Sequence, residues 1–73
     1  MKTVLVFKTS VSRQQEVEQL QPMLNRLMTT AEKWNFDLED VDNILRVEAI
    51  QLNASTIIEK LAEVGFACAE LED

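Results

Sequence analysis

Trp34, Phe36 and Leu38 alternate with Asn35, Asp37 and Glu39, and Leu45, Val47 and Ala49 alternate with Arg46 and Glu48. A period of two is the mark of a strand with one face buried and the other wet. Asp40 to Asn43, between the two runs, is short and polar. The pair is therefore predicted to be an antiparallel hairpin. A lone hairpin is marginal in water, so this one constrains the rest of the chain to cover its apolar side.

The flanking segments can do that. Thr3 to Phe7 is β-branched, aliphatic or aromatic and suits a central strand. Ser12 with Gln15 fits a capping box, which predicts a helix start there. Val17, Leu20, Leu24, Leu27 and Met28 then mark one helical face. Pro22 lies inside this run, but the apolar phase continues past it, which predicts one bent helix ending at Thr29 to Ala31. Asn53 can cap a second helix with Ile57, Ile58, Leu61 and Val64 on its apolar face. Gly65, the only glycine, suits the left-handed residue that ends a helix, with Phe66 folding back. Ala67 to Leu71 make a short last strand. Cys68 is expected to be a small buried or half-buried packing residue, while the alternation of Ala67, Ala69 and Leu71 as a core face would turn it outward, so its face stays open.

The order is β-α-β-β-α-β. Its favoured packing is α+β and ferredoxin-like: a four-stranded antiparallel sheet with two helices on one face. Seventy-three residues make a single domain, 1–73, with a narrow stability margin. The expected core is Leu5 or Val6, Val17, Leu20, Leu24, Leu27, Leu45, Val47, Ile58 and Leu61, with Trp34 or Phe36 joining it.

Composition excludes much chemistry. Without histidine there is no Ser-His-Asp arrangement, and with one glycine there is no phosphate loop, so an enzyme is not expected. One cysteine gives no intrachain disulfide and too few ligands for zinc or copper, so no cofactor is expected. A net charge of −6 disfavours nucleic acid. The apolar run Val4 to Phe7 is too short for export or a membrane span, so the expectation is a cytoplasmic protein with no membrane association. Asp37, Glu39, Asp40, Asp42 and Asn43 read as a solvated acidic turn, since the EF-hand spacing and its glycine are missing.

The strand Lys2 to Phe7, the stripe Val17-Leu20-Leu24, the hairpin and the ending Glu63-Val64-Gly65-Phe66 together resemble the heavy-metal-associated domain. That is the fold of small copper chaperones and of metal-ATPase amino-terminal modules. The resemblance covers nearly the whole length. It implies the same βαββαβ fold and a Met-x-Cys-x-x-Cys metal loop between the first strand and the first helix. Here Lys8 stands at the methionine position, and Ser10 and Arg13 at the cysteine positions. Hydroxyls and cations cannot replace thiolates around Cu(I) or Zn(II).

Lys8, Ser10 and Arg13 are nevertheless the candidate binding residues, because bases and hydroxyls around a helix start can receive a phosphate or a partner's carboxylate. The expected function is a non-enzymatic binding or adaptor domain that has lost metal binding and has another protein as its partner. Two alternatives stay open. One is a small-ligand-sensing regulatory domain, which shares this element order. The other is a metallochaperone relative that uses Cys68 with a partner's ligands.

Overall fold

A computed structural model of the chain describes residues 2–71. The elements run β1 (Thr3–Thr9), α1 (Gln14–Leu27), β2 (Lys33–Asp37), β3 (Ile44–Ala49), α2 (Ala54–Glu63) and β4 (Cys68–Glu70). The strands form one antiparallel sheet in the order β2-β3-β1-β4. The hairpin is closed, β1 pairs with its second strand, and the short last strand adds to the far side of β1. This is the β-α-β-β-α-β fold that the periodicities predict.

Register divides the sheet into two faces. Phe7 stands opposite Leu45, which stands opposite Phe36; Leu5 stands opposite Val47, which stands opposite Trp34. These residues pack with Val17, Leu20 and Leu24 of α1 and Ile57 and Leu61 of α2 in a single core. The alternate positions Val4, Val6, Lys8, Arg46 and Glu48 lie on the other face, which none of the described elements covers. Between β1 and β3, Leu5 rather than Val6 is therefore the core residue.

Several boundaries differ from the sequence reading for local reasons. The first helix begins one residue later than the Ser12–Gln15 pair implies. Arg13 is the N-cap, and Glu16 closes the box by accepting from the amides of Ser12 (3.0 Å) and Arg13 (3.1 Å). A carboxylate outcompetes a neutral amide at this place because it accepts a charge-assisted bond and meets the helix dipole favourably. The helix passes through Pro22 as one element. Strand β2 stops at Asp37, where the side chain accepts from the Glu39 amide and starts the turn; Leu38 still packs against the core. The turn ends at Asn43 with φ of 51°, a left-handed conformation that asparagine tolerates better than most residues.

The core itself shifts by a residue in places. Of the two isoleucines of α2, Ile57 rather than Ile58 is fully buried, and Ile58 packs at the core margin, as does Leu27 of α1. Phe7 and Val11 are wholly buried and missing from the expected core. Ile44 is buried too, but on the uncovered face, opposite Lys8 and Asp37. Trp34 and Phe36 meet edge to face, 5.9 Å between centroids, and the Trp34 indole N–H donates to Asn25 Oδ1 at 2.9 Å.

Both predicted caps of α2 are present. Asn53 Oδ1 accepts from the Thr56 amide at 2.9 Å. At the other end the Phe66 amide donates to Leu61 O and the Gly65 amide to Ala62 O, the paired bonds of a Schellman turn. Gly65 has φ of +93°, and a Cβ there would meet nothing within 4 Å. The strain of a side chain at this place is thus purely backbone. Gly65→Ala is expected to lower stability by about 1 kcal/mol in urea denaturation. A neutral result would mean that the turn relaxes at no cost.

Candidate functional site

In the loop between β1 and α1 the hydroxyls of Thr9 and Ser10 are engaged within the chain. Thr9 is buried on the core face, and its hydroxyl donates to Asn43 O at 2.7 Å and accepts from the Val11 amide at 3.2 Å. Ser10 Oγ accepts from the Ala67 amide at 2.9 Å, and the Ser10 amide donates to Ala67 O at 3.1 Å. Ser10 thereby joins β1 to the chain entering β4, with its hydroxyl standing in for the carbonyl of a ladder.

The three candidate residues do not converge on a point. Lys8 is exposed on the uncovered sheet face, 3.7 Å from Asp42 of the hairpin turn. Ser10 faces the β4 entry, and Arg13 caps α1 with an extended backbone. Its guanidinium carries no acceptor, so it cannot accept from the Glu16 amide in return. The helix start already holds one carboxylate, that of Glu16, on the amides of Ser12 and Arg13. An incoming anion would have to compete with it.

Cys68 is the half-buried packing residue expected of it, and strand pairing decides the face that the sequence pattern leaves open. Antiparallel pairing sets Cys68 opposite Thr9 and Ala69 opposite Lys8, so Cys68 takes the core face and Ala69 the open one. The thiol is half-buried, packs against the core, and is pushed up to about 11 by burial. At neutral pH it is a protonated packing group, without the thiolate that nucleophilic attack requires. A shallow open groove of about 450 Å³ runs past it, lined by Lys8, Thr9, Ser10, Ala67, Cys68 and Ala69. Among the described residues no group of three or more Cys, Asp or Glu side chains is placed to hold a metal ion. Nor is any described helix long and apolar enough to cross a membrane.

The most elaborate polar arrangement lies elsewhere, at a residue the sequence pattern does not mark. Glu32 is 6% exposed, in the turn between α1 and β2. Its Oε1 accepts from the Thr29 amide at 3.0 Å. Its Oε2 accepts from the successive amides of Ile50, Gln51 and Leu52 at 2.7, 3.0 and 3.1 Å. These bonds, with Thr29 contributing most, hold the carboxyl down at about 2 against an ordinary 4.5. Three consecutive amides turned toward one point make an anion site, and the chain fills it with its own carboxylate. The only hint in the sequence is an acid in an otherwise neutral helix exit.

Comparison of the chain with protein-family models, with curated proteins and with solved structures finds no match in any of the three.

Proposed function

We propose that this chain is a non-enzymatic protein-binding domain on a heavy-metal-associated-like fold, in which the former metal loop has become a structural joint. The observation that carries this reading is the bonding of Ser10. A metal-loop cysteine must present its sulfur outward, whereas the Ser10 hydroxyl at that position is committed to the Ala67 amide and helps hold β4 to the sheet. Glu16 supports it by covering amides at the helix start. With the soft donors gone and the half-buried Cys68 protonated, what remains to offer a partner is surface. The working partner is accordingly another protein, and the working place is the cytoplasm.

Restoring the donors tests the loop. The reduced double variant Ser10→Cys and Arg13→Cys is expected to take up no more Cu(I) than the parent in a competition titration, because position 10 faces the β4 entry and position 13 the start of α1. Uptake of one Cu(I) per chain would show that the loop keeps a metal-binding geometry and is not a structural joint. Moving the pair to Thr9 and Ser12 is expected to fail too, because the Thr9 side chain is buried and bonded to Asn43 O. Tight one-to-one Cu(I) binding by the parent would overturn the proposal. Native mass spectrometry of the protein from the cells that make it addresses the partner: a retained small molecule or bound copper would each replace this reading with another.

A further inference from the structure

The uncovered face of the sheet differs in character from the rest of the molecule. Among the described residues, Lys2, Lys8, Lys33 and Arg46 stand on it with the acids Asp37 and Glu48, and Asp42 reaches its rim from the hairpin turn. The chain as a whole carries −6, so this one face is locally basic on an acidic body. Among the described residues Lys2 pairs with Glu48 at 3.6 Å and Lys8 with Asp42 at 3.7 Å, while Lys33 and Arg46 make no ion pair. The face is also apolar along β1 and β4. Val4 is 58% exposed, Val6 and Ala69 continue the strip, and Leu71 joins it, its amide bonded to Val6 O at 2.8 Å.

The complement of that surface is present in the same chain. The hairpin turn reads Glu39-Asp40-Val41-Asp42, and Val41 is 94% exposed. An apolar side chain held this far into water between three carboxylates matches a surface with valines beside lysines. The turn stands at the rim of the open face, since Asp42 reaches Lys8. The basic, apolar end formed by Lys2, Val4 and Lys33 lies at the opposite end of the sheet, because Val4 and Lys33 both register on Glu48.

We infer that the open sheet face is a self-association surface, and that its occupant is a second copy of this chain arranged about a two-fold axis. With the two sheets face to face and their strands antiparallel, each hairpin turn overlies the basic end of the other copy. Val41 then meets Val4, Glu39 and Asp40 meet Lys2 and Lys33, and the Val6–Ala69–Leu71 strips cover one another. The contact is isologous and therefore closes at two. The molecule is a slab of 30 × 28 × 19 Å. Its broad side spans at most on the order of 800 Å², which reaches the area a standard interface takes from each partner. Repulsion between two acidic bodies is damped beyond a Debye length of about 8 Å at physiological salt, leaving the short contacts to decide. This inference goes beyond the proposed function and does not depend on it, since pairing through the sheet leaves Ser10, Arg13 and the helical layer exposed.

Sedimentation equilibrium of the full chain from about 10 µM to about 1 mM tests it. The parent is expected to approach twice its mass of 8.4 kDa at the upper end. Val6→Glu and Val41→Asp are each expected to raise the dissociation constant about tenfold or more. Lys33→Glu is expected to weaken pairing and Asp40→Lys, added to it, to recover most of the loss. Val64→Glu, at the end of α2, should leave the equilibrium unchanged. Val41 is so exposed that its replacement cannot be confused with misfolding, and circular dichroism checks Val6→Glu. A parent that stays at 8.4 kDa throughout overturns the inference. So does a dimer that survives both Val6→Glu and Val41→Asp, or one that Val64→Glu dissolves. Cu(I) uptake by the parent would overturn the proposed function and leave this result standing.

Discussion

Glu32→Ala is expected to lower the melting temperature more than the loss of any other carboxylate in the chain, and far more than Glu39→Ala in the exposed turn. The reason is the number of donors left behind. One side chain satisfies the amides of Thr29, Ile50, Gln51 and Leu52, and no water-exposed substitute reaches all four. Those bonds also tie the exit of α1 to the link between β3 and α2, so both halves of the fold loosen together. Glu32→Gln is the finer test. An amide keeps one acceptor oxygen but turns its NH2 toward groups that are themselves donors.

The same residue sets part of the acid response. The folded carboxyl titrates at about 2 and the unfolded one near the ordinary 4.5. Between those values the unfolded chain binds a proton that the folded chain refuses. The stability that Glu32 contributes is complete above about pH 4.5, declines as the pH falls, and is gone below about pH 2. Thermal melts of parent and Glu32→Gln across this window should therefore converge at low pH and separate as it rises. Parallel curves would show that Glu32 is not the latch the geometry describes.

Leu61→Ala and Leu20→Ala are expected to destabilise the domain by about 2–5 kcal/mol each. Both side chains are almost wholly removed from water and lie where the two helices meet the sheet. A domain of this size has only a few kcal/mol in reserve, so either variant should be largely unfolded at 25 °C. Leu61→Met keeps the volume and should stay folded. Within α2, Ile57→Ala should cost more than Ile58→Ala, because of the two only Ile57 is fully buried. Urea midpoints measure all five. If the Leu61 and Leu20 truncations melt like the parent, the helices do not dock through these stripes.

What could be read from residues alone was whatever depends on neighbours close in sequence. The hairpin alternation at 34–49, the stripe of α1, the Asn53 cap and the Gly65 turn are all short-range, and each corresponds to an element or cap of the fold. Their order then leaves few ways to share one core. Features that need two distant segments were not legible in this way. The face of Cys68 follows from pairing with β1: three residues alternate equally well in either sense until Thr9 stands opposite. The dispersal of Lys8, Ser10 and Arg13 is likewise tertiary, because Asp42 and Ala67 come to them from far along the chain.

Glu32 is the sharpest case. By itself it is one acid among thirteen. It becomes a buried anion with a lowered pKa only because the sheet brings the amides of residues 50–52 to it, and a sequence carries no sign of which way its amides will point. Periodicity, caps and composition settled the architecture, since they report local backbone preference and the need to bury one face of each element. Long-range register decided which polar groups meet, and only the folded sheet supplies it.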